Sequence, residues 1–109
     1  MEHTALLYFV GPAGAGKSTL VATLQEWMQH QRYDGVAVNL DPGAETVPYQ
    51  AAIDVREKFT LKEIMNEYSL GPNGAQVVCA DLLAVELDWI RGHIEEISCD
   101  YFLVDTPGQ

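Results

Sequence analysis

Eight residues near the start of the chain, Gly11-Pro-Ala-Gly-Ala-Gly-Lys-Ser18, have the types and spacing of a phosphate cradle. They match G-x-x-x-x-G-K-[ST] in full. Each type has a physical reason. Glycines at 11, 14 and 16 permit positive φ and let backbone N–H groups curl around an anion. A helix opening at this point presents unpaired N–H groups and a partial positive charge. Lys17 can reach the β- and γ-phosphates of a bound nucleotide. The Ser18 hydroxyl can ligate Mg²⁺, which prefers oxygen ligands. The nucleotide-binding set is therefore expected to be Gly11, Ala13, Gly14, Ala15, Gly16, Lys17, Ser18 and Thr19.

Two carboxylates belong beside this cradle. Tyr101-Phe-Leu-Val104 is an apolar strand that ends in Asp105-Thr-Pro-Gly-Gln109. An aspartate at the carboxyl end of a parallel strand shares the sheet edge of the phosphate loop, where it can hold Mg²⁺ directly or through water. The sequence D-T-P-G also has the D-x-x-G form found in GTPases. There the Gly108 N–H can bond the γ-phosphate and sense its loss. Gln109 can orient an attacking water. Asp41, in Asn39-Leu-Asp-Pro42, follows a second strand and can order water around Mg²⁺ or act as a base. Pro42 stiffens that turn. Glu45 is a weaker candidate for the same place. Arg56 reads as a surface ion pair rather than a nucleotide contact.

These residues need a sheet edge to bring them together, and the surrounding pattern supplies one. Ala5–Val10 is a continuous apolar run, as in a strand buried on both faces. From Lys17 to about Gln31 an amphipathic helix is expected, with Leu20, Leu24, Trp27 and Met28 as its apolar face. Gly35–Leu40 is a second strand, so strand, helix and strand form a βαβ unit with a parallel pair and a right-handed crossover. Residues 41–54, with Pro42, Gly43 and Pro48, read as loop. Thr60-Leu-Lys-Glu63 fits a capping box before a short helix, Leu61 to Tyr68. Gly71-Pro-Asn-Gly74 reads as a tight turn between helices. Leu83, Leu87, Ile90, Ile94 and Ile97 then mark one long amphipathic helix. The expected fold is α/β: a P-loop NTPase with helices on both faces of a parallel sheet, of which about three strands are present.

Composition narrows the partners. Six Lys and Arg against 16 Asp and Glu give a net charge of −10 over 109 residues. That balance argues against a nucleic-acid or anionic-membrane surface, both of which need a basic face. A polyanion is bound here by a local device or not at all. The two cysteines, Cys79 and Cys99, form no disulfide framework and read as small core residues in a reducing, cytoplasmic setting. No apolar run approaches the length of a membrane span, and Met1-Glu-His3 lacks the charge of a signal peptide.

Taken in order, the phosphate loop, Asn-Leu-Asp-Pro, Gly71-Pro-Asn-Gly-Ala75 and Asp-Thr-Pro-Gly-Gln resemble the GPN-loop GTPases, of archaeal type, over about Leu7 to Gln109. The resemblance implies a Mg²⁺-dependent hydrolase of GTP that acts as a dimeric switch or assembly factor, with GTP/GDP and Mg²⁺ as cofactors. It implies Lys17, Asp41, Asn73 and Gln109 in catalysis, Ser18 and Asp105 on the metal, and Gly108 on the nucleotide. Asn73 would act in trans, from a homodimeric or paralogous partner bound through the Gly71-Pro72-Asn73 region. RNA polymerase assembly is the client process that the family brings, without direct nucleic-acid contact. Gly43 departs from the family's usual alanine and loosens the turn after Asp41. The guanine-reading N/T-K-x-D segment is missing. Residues 1–109 are thus expected to be the N-terminal part of one domain, with weak or no turnover alone. A P-loop ATPase or small-molecule kinase, and a non-catalytic nucleotide-dependent scaffold, are the competing readings.

Overall fold

A computed structural model describes residues 4–12 and 16–108. Its order is β1 (Ala5–Phe9), α1 (Lys17–His30), β2 (Gly35–Asn39), β3 (Ala51–Asp54), a 3₁₀ turn (Val55–Glu57), α2 (Leu61–Glu67), α3 (Pro72–Val85), α4 (Leu87–Glu96) and β4 (Tyr101–Asp105). The strands form one parallel sheet in the order β1-β4-β2-β3. The α/β class and parallel sheet are as expected, with four strands in place of three.

The additional strand, β3, lies inside the segment expected to be loop. Val47-Pro48 precedes it and its four residues are too few to show a period, so only pairing with β2 reveals it. The βαβ unit also needs correcting. β1 and β2 are parallel, but both pair with β4, which lies between them. A strand from the far end of the chain fills the gap that the crossover left open.

Alternation along the strands builds two apolar layers. Ala37 and Leu103 face α1, where Val21 and Met28 cover them. Val38, Ile53, Phe102 and Val104 face the other way, onto Trp89, Ile94 and Ile97 in and after α4. The helices thus cover both faces. The buried stripe of α1 is Val21 and Met28, flanked by Leu24, whereas Leu20 and Trp27 are 55% and 54% exposed. Both stripes have helical spacing, and the packing against β2 and β4 selects the former.

The long helix expected around residues 83–97 is two helices. Glu86 (φ −89°, ψ 6°) ends α3 and begins α4. The break turns Leu82 and Leu83 toward α2, in a cluster with Val55, Phe59, Ile64 and Cys79, and leaves Trp89 and Ile94 for the sheet. Gly71-Pro-Asn-Gly74 is not a free turn either. Gly71 caps α3, Pro72 takes its first position and Asn73 and Gly74 lie in its first turn. The capping box forms as expected: Glu63 N donates to Thr60 Oγ1 (3.2 Å) and Thr60 N donates to Glu63 Oε1 (2.9 Å). No helix among the described residues is long and apolar enough to cross a membrane.

Candidate functional site

The sheet register places the polar residues in one row. Phe9 pairs with Asp105, Asp105 with Asn39, and Asn39 with Asp54, all at the carboxyl ends of their strands. The phosphate loop leaves β1 at this edge, Asp41 follows β2, and Asp105 ends β4.

Glycine is required at two loop positions. Gly11 has φ +152° and Gly16, at the start of α1, has φ +80°. A Cβ at Gly16 meets nothing within 4 Å, so backbone conformation, not space, demands glycine there. No side chain caps α1 and no acidic residue lies in its first turn. Among the described residues its leading N–H groups thus have no capping side chain and can receive an anion. Ala13, Gly14, Ala15 and Gln109 lie outside the described residues.

Asp105 is the centre of the site. Its side chain is 1% exposed and accepts three hydrogen bonds. Lys17 Nζ donates to Oδ1 (2.5 Å), Ser18 Oγ to Oδ2 (2.8 Å) and Tyr49 OH to Oδ2 (2.7 Å). Lys17 also donates to the Thr106 carbonyl (2.5 Å). Thr106 in turn donates through Oγ1 and N to the Phe9 carbonyl, which ties the D-x-x-G turn to the start of the phosphate loop. Among the described residues no buried side-chain polar atom lacks a partner.

The donor set suits Mg²⁺. A carboxylate and a hydroxyl, both hard oxygen donors, meet within one hydrogen bond at a helix N-terminus. Among the described residues no cluster of three or more His, Cys, Asp or Glu could cage a metal. Mg²⁺ is commonly held by one or two protein oxygens with phosphates and water completing its shell.

Asp41 is held by its own loop. Asn39, fully buried, accepts from Asp41 N (3.0 Å) and donates to the Asp41 carbonyl (3.3 Å) and to Asp54 Oδ1 (3.1 Å). Gly43 N donates to Asp41 Oδ1 (2.9 Å), so the backbone just after Pro42 pins the carboxylate. A Cβ there would stand 3.3 Å from both Asp41 Oδ1 and Leu61 Cδ2, a tight fit. A cavity of about 1060 Å³ opens beside this loop. Gly11, Asp41, Asn73, Gln76, Thr106 and Gly108 all line it. The structure thus brings Asp41, Asn73 and Gly108 of a single chain to one cavity. Thr19 is exposed on α1.

Arg56 makes the expected ion pair, with Asp54 (2.6 Å), but it does more than sit on the surface. It also donates to the carbonyls of Ala44 (3.2 Å) and Glu45 (3.1 Å), clamping the run that follows Asp41. Burial works to raise the Asp54 pKa, but hydrogen bonds from Arg56 and Asn39 outweigh it and hold the group below its ordinary value of 3.8. Asp54 therefore contributes stability above that value and loses it as pH falls through the lower folded value. In Arg56→Met the burial effect is left with less opposition and the folded pKa rises. Acid unfolding of this variant, followed by circular dichroism, is expected to begin at higher pH than in the wild type. Stability at neutral pH is expected to drop by about 1–2 kcal/mol.

Tyr49 was not among the expected site residues, nor were Asn39 and Thr106. Nothing local marks Tyr49: it lies 56 residues from Asp105 in an irregular run, and only the completed sheet joins them. Burial, and then the hydrogen bond to Asp105, push its phenol far above the ordinary value, so it remains a donor. Cys79 and Cys99 are free, and burial raises both thiols. Cys79 is the buried core residue expected, whereas Cys99 is half-buried and packs on the edge of the cluster under α4.

Comparison with known proteins agrees with this geometry. Residues 9–109 match the model of a family described as "conserved hypothetical ATP binding protein". GPN-loop GTPase 2 of Xenopus tropicalis is 43% identical over 100 residues, which is 92% of this chain and 33% of that protein. GPN-loop GTPase 3 of Saccharomyces cerevisiae is 42% identical over 92% of this chain and 37% of its own length. A GTPase from Pyrococcus abyssi, solved in apo form, superposes with a TM-score of 0.88 at 40% identity, over all of this chain and 44% of that one. The chain spans about a third of the length of the curated relatives it matches. On the family match, the shared motifs and the common fold, the chain belongs to the GPN-loop GTPase family.

Proposed function

We propose that this protein binds GTP with Mg²⁺ and hydrolyses it, cycling between GTP and GDP states as a dimeric, cytoplasmic switch. The convergence of Lys17, Ser18 and buried Asp105 at the uncapped N-terminus of α1 carries the reading. Lys17 and the first-turn N–H groups receive the β- and γ-phosphates. Ser18 and Asp105 hold Mg²⁺, which when bound offsets negative charge on the transferring phosphoryl group. Gly108 N–H bonds the γ-phosphate. Asp41, fixed by Asn39 and Gly43, positions the attacking water, with Gln109 as its partner in that task.

Asn73 is proposed to serve the partner's site as a neutral donor to developing charge. Asn73 is exposed at the start of α3 and lines the same cavity as Asp41 of its own chain, so a role in its own site competes with the role in trans. Mixed dimers separate the possibilities. Lys17→Ala and Asn73→Ala subunits, each inactive as homodimers, are expected to recover turnover when mixed. The Asn73→Ala subunit keeps its lysine and borrows its partner's asparagine. No recovery would assign Asn73 to its own site. Assembly of RNA polymerase is proposed as the client process, on the resemblance alone.

The relatives' names point to GTP, whereas the family description says ATP. Competition of GTP and ATP for fluorescent GDP in the purified protein decides between them. Displacement by GTP at far lower concentration than by ATP is expected; the reverse order overturns the guanine reading.

A further inference from the structure

We infer that Tyr49 is a positioning residue for the metal carboxylate: its hydroxyl, 2.7 Å from Asp105 Oδ2, sets the plane in which Asp105 meets Mg²⁺. The inference rests on the proposed Mg²⁺-nucleotide function.

Asp105 has three side-chain donors, and they are not equivalent. Lys17 and Ser18 both belong to the phosphate loop, and both have other work when phosphate and metal arrive. Tyr49 lies outside that loop. It is the one donor of the three with no proposed partner on the nucleotide, so it can keep its bond throughout.

Its placement is rigid. The ring is 8% exposed and packs with Val21, Met28, Ala37 and Leu103 in the core under α1. A packed ring has few rotamers open to it, so the hydroxyl occupies one place. Upstream, Arg56 holds the Ala44 and Glu45 carbonyls; downstream, β3 begins at Ala51. The segment that carries Tyr49 is therefore tied at both ends. Groups that orient a metal ligand in this way tune its affinity for metal, and their loss commonly weakens metal binding tenfold or more.

A buried tyrosine also needs a partner simply to satisfy its own hydroxyl. Removing the hydroxyl and keeping the ring tells the two roles apart. In Tyr49→Phe, the Mn²⁺ concentration that half-saturates tight binding of fluorescent GDP is expected to rise about tenfold. GDP affinity in EDTA, where no metal is bound, is expected to stay at the wild-type value. In an Asp105→Asn background, the same substitution is expected to add no further shift, because the tyrosine acts through that carboxylate. An unchanged Mn²⁺ midpoint, an equal loss with and without metal, or a full additional shift on Asp105→Asn would each overturn the inference. Absence of metal-dependent GDP binding in the wild type would instead remove the proposed function itself.

Discussion

Lys17→Ala is expected to lose GTP turnover by two to three orders of magnitude or more, the usual scale for removing one positioned donor to a reacting charge, here about 3–4 kcal/mol. It is also expected to destabilise the nucleotide-free protein. Lys17 Nζ donates to both Asp105 Oδ1 and the Thr106 carbonyl. Asp105 is 1% exposed, so deleting the lysine strands a buried carboxylate with two neutral donors. Removing one member of a buried ion pair costs about 3 kcal/mol or more. Urea unfolding in the absence of nucleotide checks the second effect, and single-turnover hydrolysis the first. The same pairing implies that Lys17 must leave Asp105 to reach a phosphate. Nucleotide therefore competes with an internal partner for the lysine.

Much of this site is legible in the sequence because its parts are local. Gly11 to Ser18 is one loop and one helix start, so the dihedral needs of Gly16 and the reach of Lys17 follow from the motif itself. Asp105 and Asp41 are legible for a related reason: one ends a strand and the other follows one, and parallel strands put their carboxyl ends on one edge. What stayed hidden is what depends on the order of strands. β4 inserts between β1 and β2, and no period within 101–105 announces it. Tyr49 and the Arg56 clamp follow from that order and from β3, which is visible only through its pairing with β2. The break at Glu86 is hidden differently. Leu83, Leu87 and Ile90 keep helical spacing across it, yet the two halves pack on different neighbours. Periodicity reports a buried face and is silent on a change of partner. Leu20 and Trp27 show the same limit on α1, where two stripes compete and the sheet chooses.

Asp105→Asn is expected to raise the metal concentration needed for nucleotide binding by about a hundredfold and yet cost less stability than Lys17→Ala. The amide keeps the side chain's shape and an accepting oxygen, and the Ser18 and Tyr49 hydroxyls can each turn to donate or accept. The charge left over is then that of Lys17, on a long flexible stem whose head can move out to water. The asymmetry predicts strong coupling between the two positions. In Lys17→Ala/Asp105→Asn no unpaired charge remains buried, so the part of the Lys17→Ala loss that comes from stranding the Asp105 carboxylate is removed. The double variant is therefore expected to unfold at higher urea concentration than Lys17→Ala alone, recovering about 2 kcal/mol, while binding no Mg²⁺-nucleotide at all. Stability losses that simply add would mean that the Lys17–Asp105 pair contributes nothing in the nucleotide-free protein, and the competition between Asp105 and phosphate for the lysine would fall with it. Recovery of stability without recovery of binding would place the two carboxylate duties, holding Lys17 at rest and holding metal in the loaded state, on one side chain that performs them in turn.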